Sequence, residues 1–198
     1  TFDAVLYATG RKANTANIGL EHTDIVTNER GAIVVNDTCE SSAPGVYAVG
    51  DVNGGPQFTY VSLDDFRIVF GALTGNSQYT LKDRKNIPYT IFLTPPLSRV
   101  GLTEEDAINQ GYTIKTKEML VATMPRAHVN DYLKGAFKIV VDAENDLILG
   151  ATLYSQGAEE LINLIKMAMD NNIPYTYFKN QIFTHPTMAE NLNDLCNF

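Results

Sequence analysis

The second half of the chain predicts an α+β fold built on an antiparallel sheet. Residues 136–141 and 147–154 are strand-like runs separated by Asp142-Ala143-Glu144-Asn145-Asp146, a turn cluster of the kind that closes a hairpin. Residues 158–170 place Leu161, Leu164, Ile165 and Ala168 on one helical face. Strands followed by packed helices, rather than a regular strand–helix alternation, define the class.

Residues 1–8 read as an apolar strand already under way, without an initiator methionine, so the chain is taken as a piece of a longer protein. Residues 15–29 are irregular. Residues 32–35 form a short strand, and Ser41-Ser42-Ala43-Pro44-Gly45 a turn. Residues 46–51 read as a buried strand ending on Gly50-Asp51. An aspartate at a strand's carboxyl end sits where α/β proteins bind ligands, although a plain turn aspartate is the commoner case. A helix runs from Thr59 to Leu73, and its start offers unpaired N–H groups and partial positive charge to an electron-rich ligand edge. Asp64-Asp65 reads as a solvated face of that helix.

Residues 76–86 are polar with mixed charges and serve as a connection, which divides the chain into residues 1–85 and 86–198. Residues 89–93 form a strand broken by Thr94-Pro95-Pro96. A short helix opens at Leu102-Thr103-Glu104-Glu105-Asp106, with Thr103 as cap and Gly111 as stop. Residues 113–121 supply a further strand. Residues 175–178 form an aromatic patch in which Tyr175 and Tyr177 are assigned to the core. A last helix spans residues 188–195.

The chain has 198 residues, 44% hydrophobic and 19% charged, which is ordinary globular composition. A net charge of −8 disfavours nucleic acid and anionic membrane as partners. No run is long enough for a bilayer-spanning helix. Two distant cysteines, Cys39 and Cys196, form no CxxC pattern and suit a reducing cytoplasm. His22 and His128 have no ligand-spaced neighbours, so no metal site is expected.

The segment Thr184-His185-Pro186-Thr187-Met188-Ala189-Glu190 carries the chemistry. Proline keeps His185 out of the α region at a helix entrance, and Glu190, on the following turn, leans back toward it. A carboxylate there fixes the imidazole's tautomer, as acid-base catalysis requires. The same residues also spell a capping box, with Thr187 as N-cap and Glu190 serving the backbone. Locally, the cap is the commoner arrangement.

Three segments in order, Ala8-Thr9-Gly10-Arg11, Tyr47-Ala48-Val49-Gly50-Asp51 and His185-Pro186-Thr187 with Glu190, resemble the pyridine-nucleotide disulfide oxidoreductases: glutathione reductase, dihydrolipoamide dehydrogenase and mercuric reductase. Thr94 to Arg99 and Gln181 to Pro186 look most like the bacterial reactive-chlorine-resistance flavoproteins. The resemblance implies a C-terminal dimerisation domain with an antiparallel sheet and packed helices. An incomplete piece of the FAD- and NAD(P)-binding α/β domains would precede it. It implies FAD contacts at Gly50 and Asp51, and at the helix start Phe58-Thr59-Tyr60. His185 would be the acid-base residue, oriented by Glu190, serving a partner subunit's redox thiols, with the His185–Pro186 bond cis. The parent would be a cytoplasmic homodimer using FAD and NAD(P)H to reduce a disulfide or other small oxidant. The glycine-rich FAD fingerprint and the redox cysteines are missing, so the piece alone is expected to bind no flavin. Thr184 departs from the family's usual residue before the histidine. A non-catalytic dimerisation module and a single-cysteine peroxidase- or oxidase-type relative stay open, as do NADH and NADPH.

Overall fold

A computed structural model describes residues 2–198, which divide into two compact units between Arg84 and Lys85. In the second unit, strands β1 (Tyr89–Ile91), β2 (Leu97–Gly101), β3 (Ile114–Leu120), β4 (Ala136–Asp142) and β5 (Ile148–Tyr154) form one sheet in the order β1-β2-β5-β4-β3. Every neighbouring pair is antiparallel. The α+β architecture is therefore as the sequence predicts.

The β4–β5 hairpin closes on Asp142, whose carboxylate accepts from the Glu144 N–H at 2.9 Å and the Asn145 amide at 2.8 Å. Asp146 completes the turn with φ at 58°, a conformation Asp tolerates. Phe137, Ile139 and Val141 alternate along β4 into the core, and Leu153 and Ala151 join them from β5. Helix α4 (Ala158–Asp170) buries Ala158, Leu161, Ile162, Ile165, Ala168 and Met169 and packs on β5 and β2. Glu159 and Glu160 lie in its first turn, where the helix dipole favours negative charge. The short helix α2 (Glu104–Asn109) is capped by Thr103, whose hydroxyl accepts from the Asp106 N–H at 2.9 Å.

Two elements differ from expectation. Strand β2 was not anticipated, because Ser98 is polar and Arg99 charged. Ser98 is nonetheless fully buried, satisfied by the Thr90 hydroxyl 2.8 Å away on β1. The aromatic patch is a helix, α5 (Tyr175–Asn180), which buries Tyr175 and Phe178 but leaves Tyr177 exposed, against the core assignment. A one-turn helix α3 (Pro125–Val129) was also unforeseen.

The first unit holds one long helix, α1 (Thr59–Leu73), with the predicted bounds. The rest of the unit is short 3-10 turns and irregular chain, with single bridges joining Thr27 to Ile33, Val35 to Ser41 and Glu40 to Tyr47. Residues 2–8 form no strand: they are exposed and have no ladder partner among the described residues, and Thr1 of that expected strand lies outside them. The expected strands at 32–35 and 46–51 reduce to those bridges. Gly50, at φ 72°, turns the chain out of extension into a 3-10 turn, Gly50–Asn53, and Val46 and Val49 stay exposed.

Gly101 and Gly150 face each other across β2 and β5. A Cβ on Gly150 would lie 2.1 Å from the Leu102 carbonyl oxygen, which belongs to backbone and cannot swing aside. Gly150→Ala should therefore destabilise the second unit by about 2–3 kcal/mol, read as a lower urea midpoint at unchanged slope.

Candidate functional site

The carboxyl-terminal site is assembled by a chain that leaves α5 at Asn180, runs extended, and enters the last helix α6 (Asn191–Leu195). The His185–Pro186 bond is cis. His185 Nδ1 lies 2.7 Å from Glu190 Oε2, and the other carboxylate oxygen accepts the Thr187 N–H at 3.0 Å. The imidazole-pairing and capping arrangements read from the sequence therefore coexist, one on each oxygen. The expected helix start is corrected: Glu190, not Thr187, occupies the N-cap, and the helix begins at Asn191. Thr187 instead accepts the Glu190 N–H at 3.2 Å and donates to the Thr184 carbonyl at 2.8 Å, a hydrogen-bonded turn that stops the helix from extending backward.

The His185 side chain is 68% exposed and that of Glu190 only 18%. Burial pushes the Glu190 carboxyl up, but hydrogen bonds from His185 and the Thr187 N–H outweigh it and hold the group below its ordinary 4.5. With Nδ1 engaged, Nε2 is the ring atom available to a reacting group.

Residues the sequence reading missed hold this frame. The Asn193 amide donates to the carbonyls of Phe178 at 2.6 Å and Gln181 at 2.9 Å, tying α6 to the end of α5 and to the strand-like approach to His185. Asn191, almost fully buried, donates to the carbonyls of Thr187 and Met188. Lys117 on β3 donates to the Asp194 carbonyl at 2.7 Å, neutralising the helix's negative end. The available signal was two asparagines in a five-residue helix, since Asn is a poor helix former and tends to bond backbone.

The first unit carries the other expected residues. Asp51 follows Gly50 in the 3-10 turn, and its exposed carboxylate lies 3.2 Å from Arg11. The Ala-Thr-Gly-Arg and Gly-Asp segments thus meet through their last residues. Phe58 is the N-cap of α1 and gives its first turn no side-chain hydrogen bond. The rings of Phe58 and Tyr60 stack with centroids 5.1 Å apart, flanking Thr59. A helix start without a side-chain cap, beside a turn that Gly50 lets approach α1 closely, fits an acceptor-rich ligand such as FAD. A Cβ on Gly50 would sit 2.6 Å from the Ser62 hydroxyl.

The solvated reading of Asp64-Asp65 is wrong for Asp65, which is fully buried. Arg84 reaches back from the end of the unit to pair with both carboxylates, at 2.7 Å to Asp64. A charge at that depth survives because a guanidinium meets it. Both cysteines are buried. Burial, reinforced by Asp65, pushes the Cys39 thiol up to about 11, and burial pushes Cys196 up to about 12. Among the described residues no group of His, Cys, Asp or Glu could hold a metal ion, and no helix is long and apolar enough to cross a membrane.

The chain belongs to the pyridine nucleotide-disulphide oxidoreductase family: the model of its dimerisation domain matches residues 87–196, and the family's main model matches residues 1–65. It is 49% identical over 193 residues to the probable pyridine nucleotide-disulfide oxidoreductase RclA of Escherichia coli (strain K12), covering 98% of this chain and 44% of RclA. It is 34% identical over 190 residues to a mercuric reductase of Staphylococcus aureus, covering 96% of this chain and 35% of that protein. Among solved structures it superposes on the HOCl-induced flavoprotein disulfide reductase RclA from Escherichia coli with a TM-score of 0.92 at 48% identity, covering 96% of this chain and 43% of that one. The chain spans less than half the length of these relatives.

Asp106, Asp142 and Glu190 all carry carboxyls held below their ordinary values, by hydrogen bonds from Thr103, from Asn145 and Glu144, and, against burial, from His185 and Thr187. A depressed folded value means stability present above the ordinary 3.8 of Asp and 4.5 of Glu and lost as pH falls through the lower folded values. The thermal midpoint should fall across that acid window, and Glu190→Gln should flatten the fall.

Proposed function

We propose that this chain is the carboxyl-terminal part of an FAD-dependent NAD(P)H:disulfide oxidoreductase. In this reading residues 1–85 complete its nucleotide-binding domains, and residues 86–198 form its homodimer interface. The His185–Glu190 pair serves the partner subunit's redox site. The observation that carries the reading is the 2.7 Å contact between Nδ1 of the exposed His185 and Oε2 of the largely enclosed Glu190. A disulfide as the acceptor is supported by the similarity to RclA, a flavoprotein disulfide reductase.

FAD, when bound, supplies the ring that takes a hydride from NAD(P)H. Asp51 and the start of α1, where Phe58 and Tyr60 flank the first-turn N–H of Thr59, would hold it. In the second unit Glu190 keeps the proton on Nδ1, so Nε2 of neutral His185 is a base. It takes the proton of a thiol on the partner subunit, and the resulting imidazolium is stabilised by the Glu190 carboxylate. The same proton returns from Nε2 to the leaving thiolate when the substrate disulfide opens. Because base and thiols come from different copies, the homodimer is the working unit.

The test uses the protein at the full length of its relatives. His185→Ala should lower disulfide-reducing turnover roughly 10²-fold or more, with the flavin spectrum and dimer retained. Glu190→Gln should cost about tenfold, because the tautomer is no longer fixed. Turnover unchanged in His185→Ala would overturn the assigned role.

A further inference from the structure

Asp65 has no place in the mechanism above, yet it is a fully buried charge. Its Oδ2 accepts the Gly50 N–H at 2.7 Å and the Asn53 amide at 2.9 Å, and its Oδ1 takes the Arg84 guanidinium. Asn53 also donates to the Ala48 carbonyl at 3.3 Å, so the contact grips the 3-10 turn from both ends. Gly50 sits at φ 72° with no side chain by which to be held, and its N–H is the handle the carboxylate uses. An apolar residue at 65 could fill the same space but could not accept that N–H.

We propose that Asp65 is a positioning residue that sets the Asp51 carboxylate relative to the start of α1. The proposal deepens the reading of Asp51 and of Phe58, Thr59 and Tyr60 as FAD contacts, and rests on it. Asp65 lies in the second turn of α1, roughly 9 Å along the axis from the helix's first residue. One side chain therefore joins the turn bearing Asp51 to the helix whose amino end is the other proposed contact. Arg84 neutralises the buried carboxylate and is itself braced by Asp64, 2.7 Å from its Nε. Burial alone would lower the Arg84 pKa, but the hydrogen bonds it donates to Asp65 and Asp64 outweigh it and raise it, so the guanidinium keeps its charge. A directional, fully satisfied buried network holds one geometry where an apolar contact would allow several.

Removing Asp65 alone would take from Arg84 its buried carboxylate partner and leave it with Asp64, so the test uses two matched proteins at full length. Asp65→Asn with Arg84→Met keeps an acceptor oxygen for Gly50 and removes both charges. Asp65→Leu with Arg84→Met removes the acceptor as well. Hydrogen exchange at the Gly50 amide should be about tenfold faster in the Leu protein than in the Asn protein, with mid-helix amides such as Ile68 alike in both. FAD titrated into the apo-proteins should show an Asp51→Asn penalty of about tenfold in the Asn background and almost none in the Leu background, the non-additivity expected of coupled residues. Equal Gly50 exchange in the two proteins overturns the contact's role, and equal Asp51→Asn penalties overturn positioning. An Asp51→Asn change that costs nothing in the natural background overturns the FAD reading itself, and the exchange difference then still reports on Asp65 alone.

Discussion

The pairing of β4 with β5 is the constraint on which the second unit depends. β2 and β3 add to its two outer sides, α4 lies across β5, and α6 touches β4. The hairpin is local in sequence and closed by an aspartate that bonds its own turn, so it can form early without a long loop to close. The chain segment bearing His185 comes last in sequence and packs through α6 on β3, β4 and α5. Apart from the His185–Glu190 pair, its side chains bond backbone groups, which suits a segment whose own helix is too short to persist alone.

The two candidate sites share one device. In each, a carboxylate divides its oxygens between a backbone N–H and a basic side chain: Glu190 between Thr187 and His185, Asp65 between Gly50 and Arg84. The backbone contact fixes where the carboxylate is, and the second oxygen then fixes the base. The exposures differ. His185 is open to solvent, whereas Arg84 is enclosed beside the carboxylates it neutralises. The Arg11–Asp51 pair is exposed on both sides and contributes little to stability, which leaves that carboxylate free to change partners.

Much of this was legible in the chain. The two long helices were read with their bounds because fifteen and thirteen residues give periodicity and punctuation room to agree. The β4–β5 hairpin announced itself by its turn chemistry, and the family by Gly50-Asp51 and His185-Pro186. What failed were short apolar runs. Residues 2–8 and 46–51 have strand-like composition, but pairing is decided by what lies alongside, which composition does not record. β2 failed in the opposite direction, since a polar Ser98 is buried by a partner that only the sheet supplies. Asp65 was invisible for the same reason: its partner Arg84 is nineteen residues away, and nothing local marks a charged side chain as interior. The frame around Glu190, built by Asn191, Asn193 and Lys117, likewise depends on carbonyls brought together by the fold.

The enclosure of Cys39 and Cys196 has a practical corollary. Neither sulfur presents surface to solvent, and both hold their protons far above neutrality, so an alkylating reagent finds no thiolate on the folded chain. Modification then has to wait for the surrounding structure to open. Since one cysteine lies in each compact unit, their separate labelling rates would time the breathing of the two halves independently, turning an inert pair of sulfurs into a two-channel stopwatch.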